Sequence, residues 1–276
     1  MIELPEGLTL AKQIDSALTG TVVERVQPPS APHKFCWFNG DPSEYHERLA
    51  GQRIEGARSF GIFVEIAFDG GARLCFNDGV NVRLLAPEAQ RPKKYQLLME
   101  FADGRALAFT VAMYGGIICH AGDYDNEYYR KSKGSVSPLS ASFDKAAFDA
   151  LLASVKPTLS AKAFLATEQR IPGLGNGVLQ DILFQARIHP KRKVGTLSES
   201  ERADLFYCVK AVLEDMAARG GRDTEKDIYG QAGGYRTLLS KNTLTAGCPH
   251  CGGGLVKEAY LGGAVYYCPS CQPLEK

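Results

Sequence analysis

Apolar positions first fall into a helical rhythm: Leu10, Ile14 and Leu18 recur four apart, with Ala11 beside them. Pro5 suits a first helical turn and Gly20 a C-cap, so the pattern predicts a helix close to the N-terminus. From about residue 22 to 119 the rhythm shortens. Apolar runs cover 62–68, 72–76, 80–85, 95–101 and 106–111, separated by turn signals such as Asp69-Gly70-Gly71 and Asp103-Gly104. Short runs punctuated in this way predict a sandwich or barrel-like β domain. Trp37, with Phe35 and Phe38, forms an aromatic knot expected in its core.

Residues 121–142 carry few aliphatic side chains, which predicts a solvated linker made locally basic by Arg130, Lys131 and Lys133. Helical spacing follows over 143–155, 160–167 and 177–188, and Ser198-Glu199-Ser200-Glu201 reads as a capping box opening a helix to about Arg219. Residues 222–246 are polar and irregular, and predict a loop. Two last apolar runs, 255–260 and 264–267, flank Leu261-Gly262-Gly263 and predict a β-hairpin. The expected fold class is α+β with several domains. An N-terminal β-sandwich with a leading helix spans 1–120, a linker 121–142, a helical domain 143–240 and a C-terminal hairpin 241–276.

Composition narrows the setting. The 276 residues are 45% hydrophobic and 23% charged, ordinary for a globular protein. The pattern shows no signal peptide and no run long enough to span a membrane, so a cytoplasmic (bacterial nucleoid) or nuclear monomer is expected, not a secreted one. Cys36, Cys75, Cys119 and Cys208 stand singly, as buried or idle thiols in a reducing compartment do. The net charge of +1 weighs mildly against nucleic acid as a partner, although it averages away any local basic patch.

Chemistry concentrates in four places. Cys248-Pro249-His250-Cys251 and Cys268-Pro269-Ser270-Cys271 are two C-x-x-C knuckles sixteen residues apart. Their four thiolates suit one tetrahedral structural zinc; paired disulfides, a redox C-x-x-C, or His250 in place of one sulfur are the alternatives. The turn from Ile171 to Gly177, with Gly173, Gly175 and Asn176, lies between two helices and offers N–H groups to an anion. A helix, not a strand, precedes it, which argues against a dinucleotide site and leaves a nucleic-acid phosphate or a tight helical corner. Lys191, Arg192 and Lys193 form a basic cluster, either a solvated face or a second backbone contact. At the N-terminus, Glu3 and Glu6 follow closely on an α-amine whose ordinary pKa is near 8, low enough to serve as a nucleophile.

Taken in order, these motifs resemble the formamidopyrimidine-DNA glycosylase/endonuclease VIII family along the whole chain: Glu3-Leu4-Pro5-Glu6, a β domain, a helix–two-turn–helix segment with Gly173, Gly175 and Asn176, and the four-cysteine hairpin. The resemblance implies a base-excision-repair DNA N-glycosylase and abasic-site lyase binding damaged or single-stranded DNA. Met1 (or Ile2, were Met1 removed), Glu3 and Glu6 would be catalytic. Gly173, Gly175, Asn176, Tyr114, Lys191 and Arg192 would contact DNA, and Cys248, Cys251, Cys268 and Cys271 would hold zinc. The chain also departs from the family. Ile2 replaces the nucleophilic proline, and a bulky second residue keeps Met1 in place. Phe60 stands where a lysine is expected, with Arg58 two residues away, and Gly263 where the hairpin carries an arginine. Residues 75–79 depart from the strand that brings the first gap-filling residue. The second such loop lacks its arginine but keeps an aromatic, Tyr114, and Asp181 replaces a glutamate. A non-catalytic damaged-DNA binder on the same scaffold is therefore the alternative, and a zinc-stabilised protein that no longer binds DNA is a third reading.

Overall fold

The computed structural model describes residues 1–122 and 124–274. Helix α1 (Leu4–Leu18) opens at Glu3, whose backbone N–H donates to the Glu6 carboxylate at 3.3 Å, with Pro5 in the first turn. Ten elements follow it: β1 (Val23–Gln27), β2 (Cys36–Phe38), α2 (Tyr45–Leu49), β3 (Ile54–Phe60), β4 (Phe63–Phe68), β5 (Arg73–Asn77), β6 (Val80–Leu85), β7 (Leu97–Phe101), β8 (Ala106–Val111) and β9 (Gly115–His120). They make two sheets, β1-β7-β8-β6 and β2-β9-β5-β4-β3. The expected sandwich is present. Neighbouring strands pair antiparallel except β2 and β9, which run parallel. Between the sheets lie Phe68, Phe76, Phe101 and Phe109, with Ile14 and Leu18 of α1 closing one side. Burying each such side chain contributes about 1.5–3 kcal/mol.

The expected solvated linker holds helix α3 (Glu127–Gly134), capped by Asn126, whose Oδ1 accepts from the N–H groups of Tyr128 and Tyr129. Strand alternation explains it. Val64, Ile66 and Phe68 of β4 point into the sandwich, while Phe63 and Glu65 point outward and need cover, which Tyr129 of α3 supplies.

Beyond it come α4 (Lys145–Ala153), α5 (Ala161–Ala166), α6 (Val178–Gln185) and α7 (Glu199–Ala218), around Phe148, Phe164, Ile182 and Leu213. Leu4 belongs to this second core and Ile14 to the first, so α1 joins the two domains. The 222–246 loop is irregular, held by bridges between Arg222 and Tyr235 and between Lys226 and Ala232. Strands β10 (Val256–Tyr260) and β11 (Gly263–Tyr267) complete the hairpin, which packs Tyr266 and Leu255 near Phe184 of α6.

The aromatic knot divides. On edge strand β2, Cys36 and Phe38 pack toward the core, whereas Trp37 points outward, 54% exposed, beside Phe35 at 48%. Core placement therefore holds for Phe38 alone.

Candidate functional site: the N-terminal cradle and its surroundings

Three glycines let an acidic side chain reach the start of α6. The Glu3 carboxylate accepts from the backbone N–H of Gly175 at 3.2 Å, Gly177 at 2.8 Å and Val178 at 2.8 Å. A Cβ on Gly175 would meet that carboxylate at 2.6 Å, and one on Gly177 would meet Arg222 at 1.4 Å. Gly173 has φ +80, and a Cβ there would strike the Gly61 carbonyl oxygen at 2.6 Å. The donors expected to take a DNA phosphate are thus committed to Glu3, which occupies the positive end of the helix. Glu6 is committed as well. Its oxygens accept from Arg222 Nε at 3.0 Å, Nη2 at 2.8 Å and backbone N–H at 3.0 Å. Burial pushes the Glu3 carboxyl above its usual range, against the opposing pull of Arg222. Asp181, in the glutamate's place, is likewise spent on structure: it accepts from the N–H groups of Leu238 and Leu239 at 2.9 Å each.

The carboxylate on the Met1 amine is that of Glu225, from the 222–246 loop. The next backbone N–H, on Ile2, donates to the Asp78 carbonyl at 2.6 Å, and the Ile2 side chain is buried. An amine on Ile2 would be tied inward at Asp78. The amine on Met1, a residue 39% exposed, stands at the surface. Glu225, Arg222 and Asp78 carried no local signal in the sequence, because each meets the N-terminus only through the fold.

At the hairpin, Cys248 and Cys271 place their sulfurs 3.7 Å apart, and Cys251 and Cys268 place theirs 3.6 Å apart. All four lie within 4.8 Å of one another. A tetrahedral ion with sulfur bonds of about 2.3 Å requires sulfur separations of about 3.8 Å, so the four residues fit one thiolate-bound metal ion. His250 stands outside that set, with its Nε2 3.0 Å from Arg187. Asn176 donates through Nδ2 to the Ala264 carbonyl at 2.9 Å and so ties the glycine turn to the hairpin. Two of the three residues in the basic cluster are drawn into pairs: Lys191 binds Glu258, and Arg192 lies 3.5 Å from Glu201 and donates to Thr196 Oγ1 at 2.7 Å. Tyr260 lies between Lys191 and Lys162, whose Nζ atoms are 5.2 and 5.8 Å from the ring.

Phe60, in the lysine's place, packs against Phe63 and Tyr129 at 5.9 and 5.5 Å, with the Arg58 guanidinium 5.6 Å over its ring. Behind it, Glu65 accepts from Arg58 and, at 2.6 Å, from the Tyr129 hydroxyl. Cys75 lies 3.5 Å from Glu65 and 3.7 Å from His120 Nε2, so this thiol joins a polar network and is not idle. Burial alone would raise the Glu65 carboxyl, but Tyr129 and Arg58 hold it below its usual range. Tyr114 reaches the amine side of the cradle, its hydroxyl 3.7 Å from Met1 Sδ.

The chain has relatives among known proteins. The model of the formamidopyrimidine-DNA glycosylase N-terminal domain matches residues 1–112, and that of the formamidopyrimidine-DNA glycosylase H2TH domain matches 135–227. The Mycobacterium leprae formamidopyrimidine-DNA glycosylase is 25% identical over 283 residues, covering 99% of this chain and 99% of the relative. That of a Nocardioides species is 28% identical over 286 residues, covering 99% and 95%. In three dimensions the chain is similar to the Lactococcus lactis Fpg in complex with abasic-site DNA, with a TM-score of 0.83, 24% identity, and 98% and 99% of the two chains covered. Matched by both domain models over most of its length, this chain belongs to the formamidopyrimidine-DNA glycosylase family.

Proposed function

We propose that the chain is a base-excision-repair DNA glycosylase that acts on damaged DNA as a monomer, with abasic-site lyase chemistry carried by the Met1 amine. The observation that carries this reading is the exposed Met1 amine paired with Glu225 beside the junction of the two domains. With the amine deprotonated and its proton on a carboxylate or water, nitrogen adds to C1′ of an abasic sugar. Water leaves as the imine forms, and loss of a C2′ proton then expels the 3′ phosphate. Glu225 takes the proton-handling role first expected of Glu3 and Glu6. Those two hold the cradle in place and act as positioning residues. Tyr114 is the candidate wedge, and Asn176, Lys191 and Arg192 stand on the helical and hairpin side of the junction. The four thiolates of the hairpin suit one structural zinc, soft ligands in a closed set. A DNA partner implies residence with the chromosome, in a nucleoid or a nucleus.

A second reading, a damaged-DNA binder without catalysis, is favoured by Phe60 standing where a lysine would be. Borohydride trapping on an abasic oligonucleotide separates the two. The adduct is expected from the native chain, should vanish when the N-terminus is acetylated, and should form more slowly in Glu225→Gln. Absence of an adduct across pH 6 to 9, with DNA binding retained, would leave the binding reading alone.

A further inference from the structure

Trp37 and Tyr114 stand side by side on the outer face of the β domain, ring centroids 6.3 Å apart and tilted by 54°. They form a ridge shared by two hollows. One, of about 500 Å³, is walled by further rings including Tyr124 and Tyr128, with Asn126 and Gln169 at its edges. The other, of about 630 Å³, is walled by Phe35 and Met113 and rimmed by His33 and Lys34. Phe35, Trp37, Met113 and Tyr128 are each about half exposed or more, an uncommon outlay of large apolar surface on a folded domain.

We propose that this ridge is a stacking platform for unpaired nucleobases, one base entering each hollow. The inference rests on the reading of the chain as a DNA-binding protein and deepens it by naming the strand state that it takes. Three features select this occupant. Separate ring faces suit flat bases, and stacking on them tolerates any sequence. The rim provides a cation, with Lys34 Nζ 5.2 Å from the centroid of the Phe35 ring, and two carboxamides, Asn126 and Gln169, whose oxygens are held by backbone N–H groups, which leaves their NH2 groups to donate to base edges. The platform is also continuous with the candidate site. Tyr114 touches Met1, and Gln169 Oε1 accepts from the Gly173 N–H at 3.2 Å, so the first hollow borders the glycine turn. Paired bases keep their faces stacked within the helix, so an intact duplex cannot fill the hollows.

Trp37 is the only tryptophan in the chain, so its emission reports on this site directly. The full chain would be titrated with a twelve-residue oligothymidylate, a duplex bearing a two-base bulge, an abasic duplex and an intact duplex. Strong quenching is expected with the first two and little with the intact duplex. Trp37→Ala should weaken single-strand binding by roughly 5- to 150-fold, the range of one lost base stack, with Trp37→Phe recovering part of it. Its affinity for intact duplex should be unchanged. An unchanged single-strand affinity, or equal quenching by the intact duplex, would overturn the platform. A concentration-dependent emission shift without DNA would assign the face to a second copy of the chain and overturn it too. Binding to abasic duplex without quenching by any unpaired DNA removes the platform and leaves the glycosylase reading standing. Failure to bind any DNA removes both.

Discussion

Arg222 is the residue on which most of the site depends. It is 3% exposed, pairs with Glu6 at 2.8 Å, lies 3.6 Å from Glu3, and donates to the Met1 carbonyl at 3.3 Å. Arg222→Met would leave two buried carboxylates without a counter-charge, a loss of about 3–5 kcal/mol measurable by urea unfolding at pH 7. Replacing Glu3, Glu6 and Arg222 together by apolar residues would strand no charge, but it would leave the N–H groups of Gly175, Gly177 and Val178 without their acceptor, so it should not restore native stability. Asp181 offers a pH test. Burial pushes its carboxyl up to about 6, above the 3.8 of an unperturbed aspartate. The folded state therefore holds this proton more tightly, so the associated stability is present below pH 4 and is lost as pH rises through 6. Relative to Asp181→Asn, the native chain should lose about 2.5 kcal/mol between pH 4 and pH 7, read from paired urea titrations. A difference that does not change with pH would show that the two backbone N–H bonds offset burial, and one that grows with pH would show that they outweigh it. Glu3 and Glu6 were legible in the sequence as carboxylates near an amine, but their roles were not. Their partners, Gly177 and Arg222, lie some two hundred positions away, and periodicity carries nothing over that range.

At the scale of elements, local spacing determined what could be foreseen. The four cysteines, the capping box of α7 and the long apolar runs of the sandwich are all set within a few residues, and each appears where the pattern puts it. Helix α3 was hidden because its reason lies elsewhere, in the outward face of β4. The apolar run over 62–68, interrupted only by Glu65, was the available signal, since a strand covered on both faces loses its alternation. Tyr129→Phe removes the hydroxyl that Glu65 accepts from, and a buried carboxylate that loses a donor costs about 1–3 kcal/mol. The observable result should be faster tryptic cleavage at Arg130, Lys131 and Lys133, with the exposed Tyr128→Phe as an unaffected control. The hairpin should behave as a separate unit. Elemental analysis should find one zinc per chain, and Cys268→Ser should abolish it and expose the hairpin to protease. The sandwich should unfold as before, because the hairpin's buried cluster is shared with Phe184 of α6.

Over the whole molecule, charge decides how the protein meets DNA. The formal net charge is only +1, and several cations near the junction of the two domains are already engaged: Lys191 with Glu258, Arg192 with Glu201, Arg222 with Glu3 and Glu6, and the Met1 amine with Glu225. Each phosphate neutralised adds about −0.9 to the slope of log affinity against log salt. A chain with its cations so paired should therefore show a shallow slope with duplex DNA, well short of the loss expected for six or more phosphate contacts. Gly263 allows a direct test. It lies in the ordinary strand region of the hairpin, and a Cβ there would sit 3.3 Å from the Asn176 carboxamide, which needs to yield by only a few tenths of an ångström. Gly263→Arg would set a guanidinium at the hairpin turn, beside the glycine turn that follows α5, where the family's phosphate-gripping arginine is expected. Its slope should steepen by about 0.9, and its duplex affinity should rise most at low salt. Stacking on the Trp37 ridge is carried by ring faces, so quenching of Trp37 by oligothymidylate should stay as in the native chain. A steeper slope with unchanged quenching would establish that the lost arginine weakened the grip on duplex while the aromatic face kept its hold on unpaired strands. A steep slope in the native chain would instead show that its ion pairs open when DNA binds.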